Sequence, residues 1–558
     1  MVVTRNIETD EVIVWKEVNG LQKYLDSCDL IIMHNGICFD QQVLKETWKI
    51  TMMQNHVYDT LVSSRLLDTG ISGGHSLDAW GKRLGFLKTE YKRIWSWMTG
   101  QNTFSDKDHP YYNGYYDGME FDKPVTQLME SYCIQDTLVT KKLYEHLVSE
   151  FKQQKFSQRS IDLEHKVQAI IAVQERNGFK LDEVTGITLI TTLQNRLAAI
   201  EVELQSIFPT KVTERISEKT GKKLKDNIEV FNPGSRKQIG ERLIEKGWKP
   251  EKFTEKGQPI VDETVLEKVN IPEAQAIAEY LLLQKRIAQI DSWLKACKDG
   301  RVYGKVITNG AVTGRMTHHS PNMAQVPSSS SPYGEECRAL WTVDKGYKLV
   351  GIDASGLELR MLAHYMKDDA YTSEVVSGDI HTANQKAAGL ETRNQAKTFI
   401  YAFLYGAGDA KIGKVVGAGA KEGQELKARF LSNTPSLKTL RESVGKIAKD
   451  KGTLPGLDGR RLQVRSDHAA LNTLLQGAGA IVMKQALVLL DQKLSTLGID
   501  YKFVANVHDE MQLEVEEGFA DLVGKLGVKA IQEAGLHFNM RCPLDGEYKV
   551  GNNWRETH

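Results

Sequence analysis

Four side chains that could bind a charged, planar ligand recur at every fourth position of one predicted helix. Arg393, Lys397, Tyr401 and Tyr405 are spaced by four residues, and Gly406 follows the last of them. Four residues advance a helix by about 400°, so these side chains form one stripe along its surface. Arg and Lys neutralise phosphate oxygens and an aromatic ring stacks on a base or sugar, so the stripe indicates a nucleotide-binding helix. The alternative is an ordinary amphipathic helix with a solvated basic face.

Two carboxylates stand where predicted buried strands end. Asp353 follows one apolar run and Asp509 follows another, after which Met511, Leu513 and Val515 alternate with polar residues and predict a further strand. Alone, each Asp is more often a helix cap or a turn residue. As a pair, they offer hard oxygen ligands to two Mg²⁺ ions and leave positions for water and substrate phosphates. Two such ions about 3.5–4 Å apart activate an attacking oxygen and stabilise a leaving one, so the pair favours phosphoryl transfer.

Composition limits where such a reaction can take place. The 558 residues include 72 basic and 72 acidic residues, so the formal net charge is zero and any nucleic-acid site must be a local basic cleft. The six cysteines lack C-x-x-C spacing, which argues against a zinc site and a disulfide framework and indicates a reducing compartment. We find no signal-peptide pattern and no apolar run of about 20 residues, so we expect a soluble intracellular protein with no membrane partner.

The helices and strands that must position these residues are predicted from the periodicity of apolar residues and from the places where Gly, Pro and Ser interrupt it. The length implies roughly three or four domain-sized units. Short apolar strands such as residues 30–33 alternate with helices near the start and predict a small α/β domain. Helical periodicity predicts two long helices over 161–208 and further helices over 235–297, and the charged segment 209–230 between them is expected to be an exposed loop. A stretch rich in Gly, Pro and Ser over 304–334 marks a domain junction.

Three blocks, in this order, resemble motifs A, B and C of the family A DNA polymerases. They are Asp353-x-Ser355-x-x-Glu358-Leu359-Arg360, Arg393-x3-Lys397-x3-Tyr401-x3-Tyr405-Gly406 and His508-Asp509-Glu510. Thr313-Gly314-Arg315, Gly378-Asp379-Ile380-His381 and His468-x3-Asn472-x3-Gln476 resemble further elements of the family. The sequences of these blocks most resemble the replicative branch of the family that is found in T-seven-like podoviruses, and the match covers nearly the whole chain.

The resemblance implies an α/β multidomain fold. A right hand of palm, fingers and thumb is preceded by an RNase H-like 3′–5′ exonuclease-type domain. The implied segments are an exonuclease-like domain at 1–155, the thumb and connecting helices at 156–300, the first part of the palm at 301–370, the fingers at 371–450 and the second part of the palm at 451–558.

The resemblance also implies a DNA-directed DNA polymerase, a nucleotidyltransferase. It would add deoxynucleoside triphosphates to a primer 3′-hydroxyl with release of pyrophosphate, during phage DNA replication in the cytoplasm of an infected host cell. The expected partners are primer-template DNA, deoxynucleoside triphosphates and a phage helicase–primase.

Individual roles are carried over from the resemblance by position. The implied metal ligands are Asp353, Asp509 and the carbonyl of Ala354, for two Mg²⁺ ions that Mn²⁺ can replace. The catalytic set adds Lys397, as proton donor to the leaving pyrophosphate, and Glu510. The nucleotide-binding set is Arg393, Lys397, His381, Tyr401 and Tyr405, with Glu358 as a steric gate against a 2′-hydroxyl. The DNA-binding set is Arg315, Asn472, Gln476 and His508, which would contact minor-groove acceptors that correct pairs share. The alternatives are Arg315 as a helix cap and Gln476 as a surface residue.

The first segment departs from the exonuclease pattern in its count of carboxylates. His34-Asn35-Gly36-x3-Asp40 and Tyr132-x3-Asp136 match two exonuclease motifs, in which four carboxylates surround two metals. The family's first strand bears Asp-x-Glu, and only Asn6-Ile7-Glu8 imitates it, with Asn in place of Asp. We expect residues 1–14 to form the second and third strands of that sheet, with the first strand missing. Proofreading is therefore expected to be weak or absent, unless Asp40 and Asp136 bind one metal weakly or a separate chain supplies the strand.

The thumb departs from the resembled phage enzyme as well, since that enzyme carries a long insertion that captures host thioredoxin. The matching place holds only residues 209–230, and no thioredoxin dependence is expected. Its basic residues suit contact with duplex phosphates, and a solvated loop is the alternative. They are Lys211, Arg215, Lys219, Lys222, Lys223 and Lys225.

Two other functions are consistent with the hand-shaped fold. A catalytically silent protein that binds primer-template DNA would be expected to have lost Asp353, Asp509 or Lys397, and all three are present. Exonuclease activity as the main function conflicts with the missing first carboxylates. The polymerase is therefore the leading hypothesis.

Overall fold

The computed structural model describes residues 1–53, 56–87, 122–216 and 221–558. These residues form two compact units. The larger unit contains residues 1–177, 305–319 and 350–550, and the smaller unit contains 178–304, 320–349 and 551–558. Two unit boundaries fall inside the Gly, Pro and Ser-rich stretch that predicted a domain junction. The five segments implied by the resemblance stay predictions, because the larger unit joins the first segment to the palm and fingers.

Residues 1–177 alternate strands and helices. The elements are β1 (Val2–Arg5), β2 (Val12–Trp15), α1 (Leu21–Asp26), β3 (Ile31–Met33), α2 (Asp40–Trp48), β4 (Val57–Asp59), α3 (Thr60–Leu67), α4 (Leu77–Leu84), α5 (Asp122–Gln153) and α6 (Gln158–Asn177).

These strands form two separate pairs. β1 and β2 are antiparallel, β3 and β4 are parallel, and among the described residues the pairs are not hydrogen-bonded to each other. Val2, Trp15 and Ile31 pack with the leucines of α1 and α2, while α5 contacts both β1 and β3. The hairpin agrees with the strands predicted for residues 1–14. The missing first strand stays a prediction.

The following part of the chain contains the smaller unit and one hairpin of the larger unit. The elements are β5 (Phe179–Leu181), α7 (Glu183–Ile207), β6 (Lys211–Ile216), β7 (Lys223–Glu229), α8 (Arg236–Glu245), α9 (Glu263–Leu266), α10 (Pro272–Ala296), β8 (Cys297–Lys298), β9 (Arg301–Val302), β10 (Lys305–Ile307), β11 (Thr317–His319), α11 (Gly334–Ala339) and β12 (Trp341–Thr342). In the smaller unit α7 packs along α10, where Arg196 makes two hydrogen bonds of 2.8 Å to Glu279.

Within the segment 209–230, residues 211–216 and 223–229 are strands, so the expectation of a loop was wrong for them. β6 and β7 pair antiparallel with a bulge after Thr213, and Val212 lies opposite Ile228. Val212 and Ile228 are each 61% exposed, which agrees with the exposure predicted for this segment. Alternating branched and polar residues favour strands even in a charged segment, because the branched side chains fit a pleated surface. Lys219 lies outside the described residues.

The remaining elements include the sheet of the predicted palm and the helices of the predicted fingers. They are β13 (Tyr347–Ala354), α12 (Leu357–Met366), α13 (Asp369–Val376), α14 (Ile380–Ala388), α15 (Arg393–Leu404), α16 (Asp409–Gly413), α17 (Ala420–Asn433), α18 (Pro435–Lys451), β14 (Thr453–Pro455), β15 (Arg461–Gln463), α19 (Ala470–Leu497), β16 (Tyr501–Val507), β17 (Glu510–Glu516), α20 (Ala520–His537) and β18 (Gly546–Gly551).

The palm sheet has the strand order β16-β17-β13-β18 and is covered by helices. β17 is buried on both faces rather than on one, because Glu510, Gln512 and Glu514 are buried beside the alternating apolar residues. α6 packs on β16, and α19 packs on α6 and on α20. α19 is long and apolar enough to span a membrane, but 83% of the stretch concerned is buried, as in a core helix of a soluble protein.

Candidate active site

The palm carboxylates Asp353 and Asp509 lie at one end of the sheet. Asp353 is the next-to-last residue of β13, and Asp509 lies in the turn between β16 and β17. β17 is hydrogen-bonded to β13, and the Ala354 backbone N–H donates to the Asp509 carbonyl at 3.2 Å. Both Asp residues are half-buried. The structure therefore brings together two carboxylates that are 156 residues apart in the numbering.

The turn that carries Asp509 has a strained backbone. Val507 pairs with Glu510, so His508 and Asp509 form a two-residue connection, and His508 has φ 58°. A residue with a Cβ pays for this left-handed conformation with roughly 1–3 kcal/mol, and such strain is characteristic of functional turns. Glu510, the next residue, is 6% exposed and accepts a hydrogen bond from the Gln512 amide. Glu510 is thus held inside the sheet while His508 is exposed.

The oxygen ligands at this end of the sheet fit divalent cations whose coordination is completed by a substrate. Asp353 and Asp509 supply hard carboxylate oxygens, and the half-exposed position leaves room for other oxygen ligands. Within the described ranges, no group of three or more His, Cys, Asp or Glu side chains is arranged to hold a metal alone. A site of two carboxylates that needs substrate phosphates for completion agrees with that finding.

The fingers helix α15 presents the predicted stripe and buries its opposite face. Thr392 caps the helix and Gln395 completes a capping box. The apolar residues of the other face are Ala396, Phe399, Ile400, Phe403 and Leu404. Burial of the apolar face therefore determines which side of α15 carries the stripe. The helix is amphipathic, as the sequence predicted.

Arg393 at the start of the stripe is paired with a carboxylate. Its Nε donates to Asp379 Oδ2 at 2.8 Å, and this interaction keeps the pKa of Asp379 well below its usual range. Asp379 also caps α14 by accepting from the His381 and Thr382 backbone N–H groups. Asp379 lies between Gly378 and His381 in the sequence and was not among the predicted site residues. Its position as a helix cap was the available signal.

Lys397 and His381 lie near Arg393. Lys397 is exposed and forms no ion pair with a described residue. Burial and then the charges of Arg393 and Lys397 lower the pKa of His381, whose Nδ1 has no hydrogen-bond partner in the described part of the chain. The His381 and Tyr401 rings lie 6.4 Å apart. Four of the predicted nucleotide ligands, Arg393, Lys397, His381 and Tyr401, therefore lie close together.

Glu358 connects the palm and the fingers. Tyr405 Oη lies 2.9 and 2.8 Å from the two carboxylate oxygens of Glu358, and Arg315 Nη2 lies 3.4 Å from one of them. Burial and this hydrogen bond raise the pKa of Tyr405. Burial, and then the charges of Glu358 and Asp509, raise the pKa of Tyr401. The predicted steric gate thus has two side chains holding it beside Tyr401.

The remaining predicted DNA ligands lie on α19 and in the turn at His508. Asn472 and Gln476 are four residues apart on one face of α19, half-buried, and make no side-chain hydrogen bond with another described residue. α19 begins after a short 3-10 turn at Asp467–Ala469. A Cβ built on Gly406 would lie 2.7 Å from the His468 carbonyl, so only glycine lets the end of α15 approach this turn. Gly406 also has φ 73°.

The exonuclease-like residues are only partly brought together. Burial and the charges of Asp59 and Asp136 raise the pKa of Asp40 to about 6. Tyr132 and Asp136 are half-buried on α5. Glu8 is exposed in the turn between β1 and β2, and its charge is not among those that act on Asp40. Asp59, which was not among the predicted site residues, is the last residue of β4 and accepts hydrogen bonds from three backbone N–H groups, so it acts as a structural cap.

The fold and this site define a class of protein, a nucleotidyltransferase with the palm and fingers of a template-dependent polymerase. Comparison with known sequences narrows that class. The profile of DNA polymerase family A matches residues 203–556. The DNA-directed DNA polymerase of Enterobacteria phage T3 is 37% identical over 673 aligned positions, covering 96% of this chain and 94% of that enzyme. The same enzyme of Escherichia phage T7 matches with equal identity and coverage.

The chain belongs to DNA polymerase family A and is a DNA-directed DNA polymerase. Enzymes of this family use divalent metal ions. The polymerase domain of Pol1 from M. smegmatis, solved with a DNA primer-template and dNTP, shares the fold with a TM-score of 0.77 and 19% identity. That alignment covers 96% of this chain and 88% of the other. The predicted multidomain right-hand fold and the phage branch of the family are confirmed.

Proposed function

We propose that Asp353 and Asp509 form the catalytic centre at which this DNA polymerase extends a primer. The primer 3′-oxygen forms a bond to the α-phosphorus of a deoxynucleoside triphosphate. The bond from that phosphorus to the bridging oxygen breaks, and pyrophosphate leaves. The observation that carries the proposal is the Ala354–Asp509 backbone hydrogen bond, because it sets both carboxylates at one end of the palm sheet.

Asp353 and Asp509, with the Ala354 carbonyl, are the residues that would hold two Mg²⁺ ions, for which Mn²⁺ can substitute. When bound, the two ions neutralise phosphate charge and make the primer hydroxyl a better nucleophile. Arg393 and His381 bind the triphosphate, and Lys397 donates a proton to the leaving pyrophosphate. The exposure of Lys397 and its lack of an ion pair with a described residue support this role.

The palm and fingers residues select the sugar and the base pair. Tyr405 and Arg315 hold Glu358 so that its carboxylate excludes a 2′-hydroxyl next to Tyr401. Asn472, Gln476 and His508 contact the primer and template. The half-buried amides of Asn472 and Gln476, which have no side-chain partner among the described residues, support this assignment, since a buried polar group needs a partner.

In the first segment we propose weak or absent proofreading, because Glu8 is exposed and its charge is not among those that shift the pKa of Asp40. The chain works in phage DNA replication in the cytoplasm of the host, beside a helicase–primase. Processivity without thioredoxin is proposed from the short hairpin of β6 and β7. The 673 positions aligned with the phage relative exceed the 558 residues of this chain, so the relative has segments with no counterpart here.

Primer extension tests these assignments. A 5′-labelled primer on a longer template is incubated with Mg²⁺ and the chain, in one lane with all four deoxynucleotides and in another with none. Extension in the first lane and an intact primer in the second are expected. Shortening of the primer in the lane without deoxynucleotides would instead show an active exonuclease. Absence of extension in the first lane would favour the catalytically silent DNA-binding protein.

Substitution assigns the chemistry to the palm carboxylates. Asp353→Asn and Asp509→Asn should each abolish extension while keeping affinity for the primer-template within about threefold. Asp450→Asn, at an exposed position of α18, is the matched control and should extend normally. Full activity of either palm variant would refute the proposed centre.

A further inference from the structure

A cleft in the fingers lies outside the residues assigned so far. Its volume is about 310 Å³, and Leu431, Ala470 and Leu471 provide an apolar part of its lining. Lys438, Arg441 and Glu442 of α18 provide a charged part, and His468 and Gly445 complete it. This volume is at the small end of the ~300–1,000 Å³ typical of ligand pockets.

Two of the residues that line this cleft are cations. Lys438 and Arg441 are exposed, and neither forms an ion pair with a described residue, Glu442 included. The Arg441 guanidinium lies 5.6 Å from the Phe403 ring of α15, which fixes it beside the fingers helix. Positions three apart on a helix lie on the same side, about 5–6 Å from each other, so both charges face one ligand.

The cleft adjoins the proposed DNA site. His468 lies in the 3-10 turn that precedes α19, and Asn472 follows it on that helix. The His468 carbonyl also contacts Gly406, directly after Tyr405. The cleft therefore lies beside residues proposed to hold the primer-template and the nucleotide.

We propose that this cleft binds a nucleotide of the unpaired template, on the 5′ side of the templating base. The proposal rests on the proposed polymerase function and names a further contact of the same site. Single strands are held by cations that track the backbone and by surfaces on which bases stack, without reading sequence. Lys438 and Arg441 contact the phosphates, and Leu431, Leu471 and the His468 ring contact the base.

The test compares two primer-templates with the same duplex, one with a single-nucleotide 5′ template overhang and one with a ten-nucleotide overhang. Affinity is measured by fluorescence anisotropy over a range of salt concentrations. The variant is Lys438→Gln with Arg441→Gln, which keeps part of the packing on Phe403. The control is Lys446→Gln with Lys449→Gln, which removes two exposed charges from α18 outside the cleft.

We expect the cleft variant to bind the long overhang about five- to tenfold more weakly and the short overhang within twofold of the unaltered chain. The slope of log affinity against log salt for the long overhang should fall by about 1.4, because two cations are removed from a single strand. The control variant should keep both affinities. Melting curves of both variants separate a binding effect from a loss of folding, and Lys438→Gln alone provides a variant with no packing change on Phe403.

Equal losses on both overhangs would overturn the proposal, because the cations would then contact the duplex. An unchanged affinity for the long overhang, or a loss that the control variant shares, would overturn it as well. Nucleotide addition on the single-nucleotide overhang is measured in parallel. Failure of that addition by the unaltered chain would refute the proposed catalytic function, whereas the overhang contribution to affinity tests the cleft separately.

Discussion

Tyr405→Phe should relax the discrimination between deoxyribonucleotides and ribonucleotides without disabling synthesis. Tyr405 Oη contacts both carboxylate oxygens of Glu358, at 2.9 and 2.8 Å, and the substitution removes only this hydroxyl. Arg315 remains at 3.4 Å from one oxygen. The freed carboxylate can then rotate away from the space that a 2′-hydroxyl would occupy.

The magnitude follows from the kind of hydrogen bond and its exposure. One hydroxyl proton can satisfy one oxygen at a time, so a single charge-assisted bond of about 1.5–3 kcal/mol is lost. Tyr405 is 48% exposed, and solvent screening reduces this to about 1 kcal/mol. Since about 1.4 kcal/mol corresponds to a factor of ten, the discrimination ratio should fall about fivefold.

The assay is single-nucleotide addition with a deoxynucleotide and with the matching ribonucleotide opposite the same template base. The ratio of kcat/KM values should fall about fivefold in Tyr405→Phe, mainly through better use of the ribonucleotide. Glu358→Ala removes the gate itself and should lower the ratio much further. If Tyr405→Phe leaves the ratio unchanged while Glu358→Ala lowers it, Tyr405 does not position the gate. An unchanged ratio in both variants would refute the role of Glu358.

Three further outcomes follow from the charges described above. Asp379→Asn keeps the cap on α14 but frees Arg393. It should lower KM for the deoxynucleotide about two- to fivefold with kcat unchanged, and a raised KM would contradict this. Asp40→Asn should stabilise the chain by up to about 3 kcal/mol at pH 7.5 and not at pH 4. The folded chain keeps the Asp40 proton up to a pKa of about 6, against an ordinary value of 3.8, so stability is lost as pH rises between those values. Melting at both pH values measures it, and equal effects at both would contradict the reasoning. Glu164→Gln should cost about 3–5 kcal/mol in urea unfolding, because its Oε1 lies 2.6 Å from both Arg460 and Lys484 and all three side chains are at most 2% exposed. A cost below 1 kcal/mol would contradict a fully buried network.

Much of the site is local in the sequence and could be predicted from it. The stripe on α15 follows from a four-residue period, and Asp353 and Asp509 follow from apolar runs that end in a carboxylate. Such patterns are visible because helices and strands repeat over a few residues, and the burial of one face selects apolar side chains at that repeat. The matching blocks then identified the family.

Local sequence patterns gave a wrong prediction for one segment and an incomplete prediction for another. Residues 209–230 have few apolar side chains and suggested a loop, but the pairing of Val212 with Ile228 is a cross-strand contact. In β17 the visible alternation predicted one buried face. The tertiary structure buries both faces of that strand, so Glu510 and Gln512 are buried together.

Only the tertiary structure decided which charges meet. Glu358 and Tyr405 are 47 residues apart, and Glu164 and Lys484 are 320 apart, so no local period relates them. The pairing of Arg393 with Asp379 likewise depends on how α14 packs beside α15. The sequence determined which residues can carry charge and which face each helix buries. The packing of those faces determined the distances between charges, and these distances set which groups can act together.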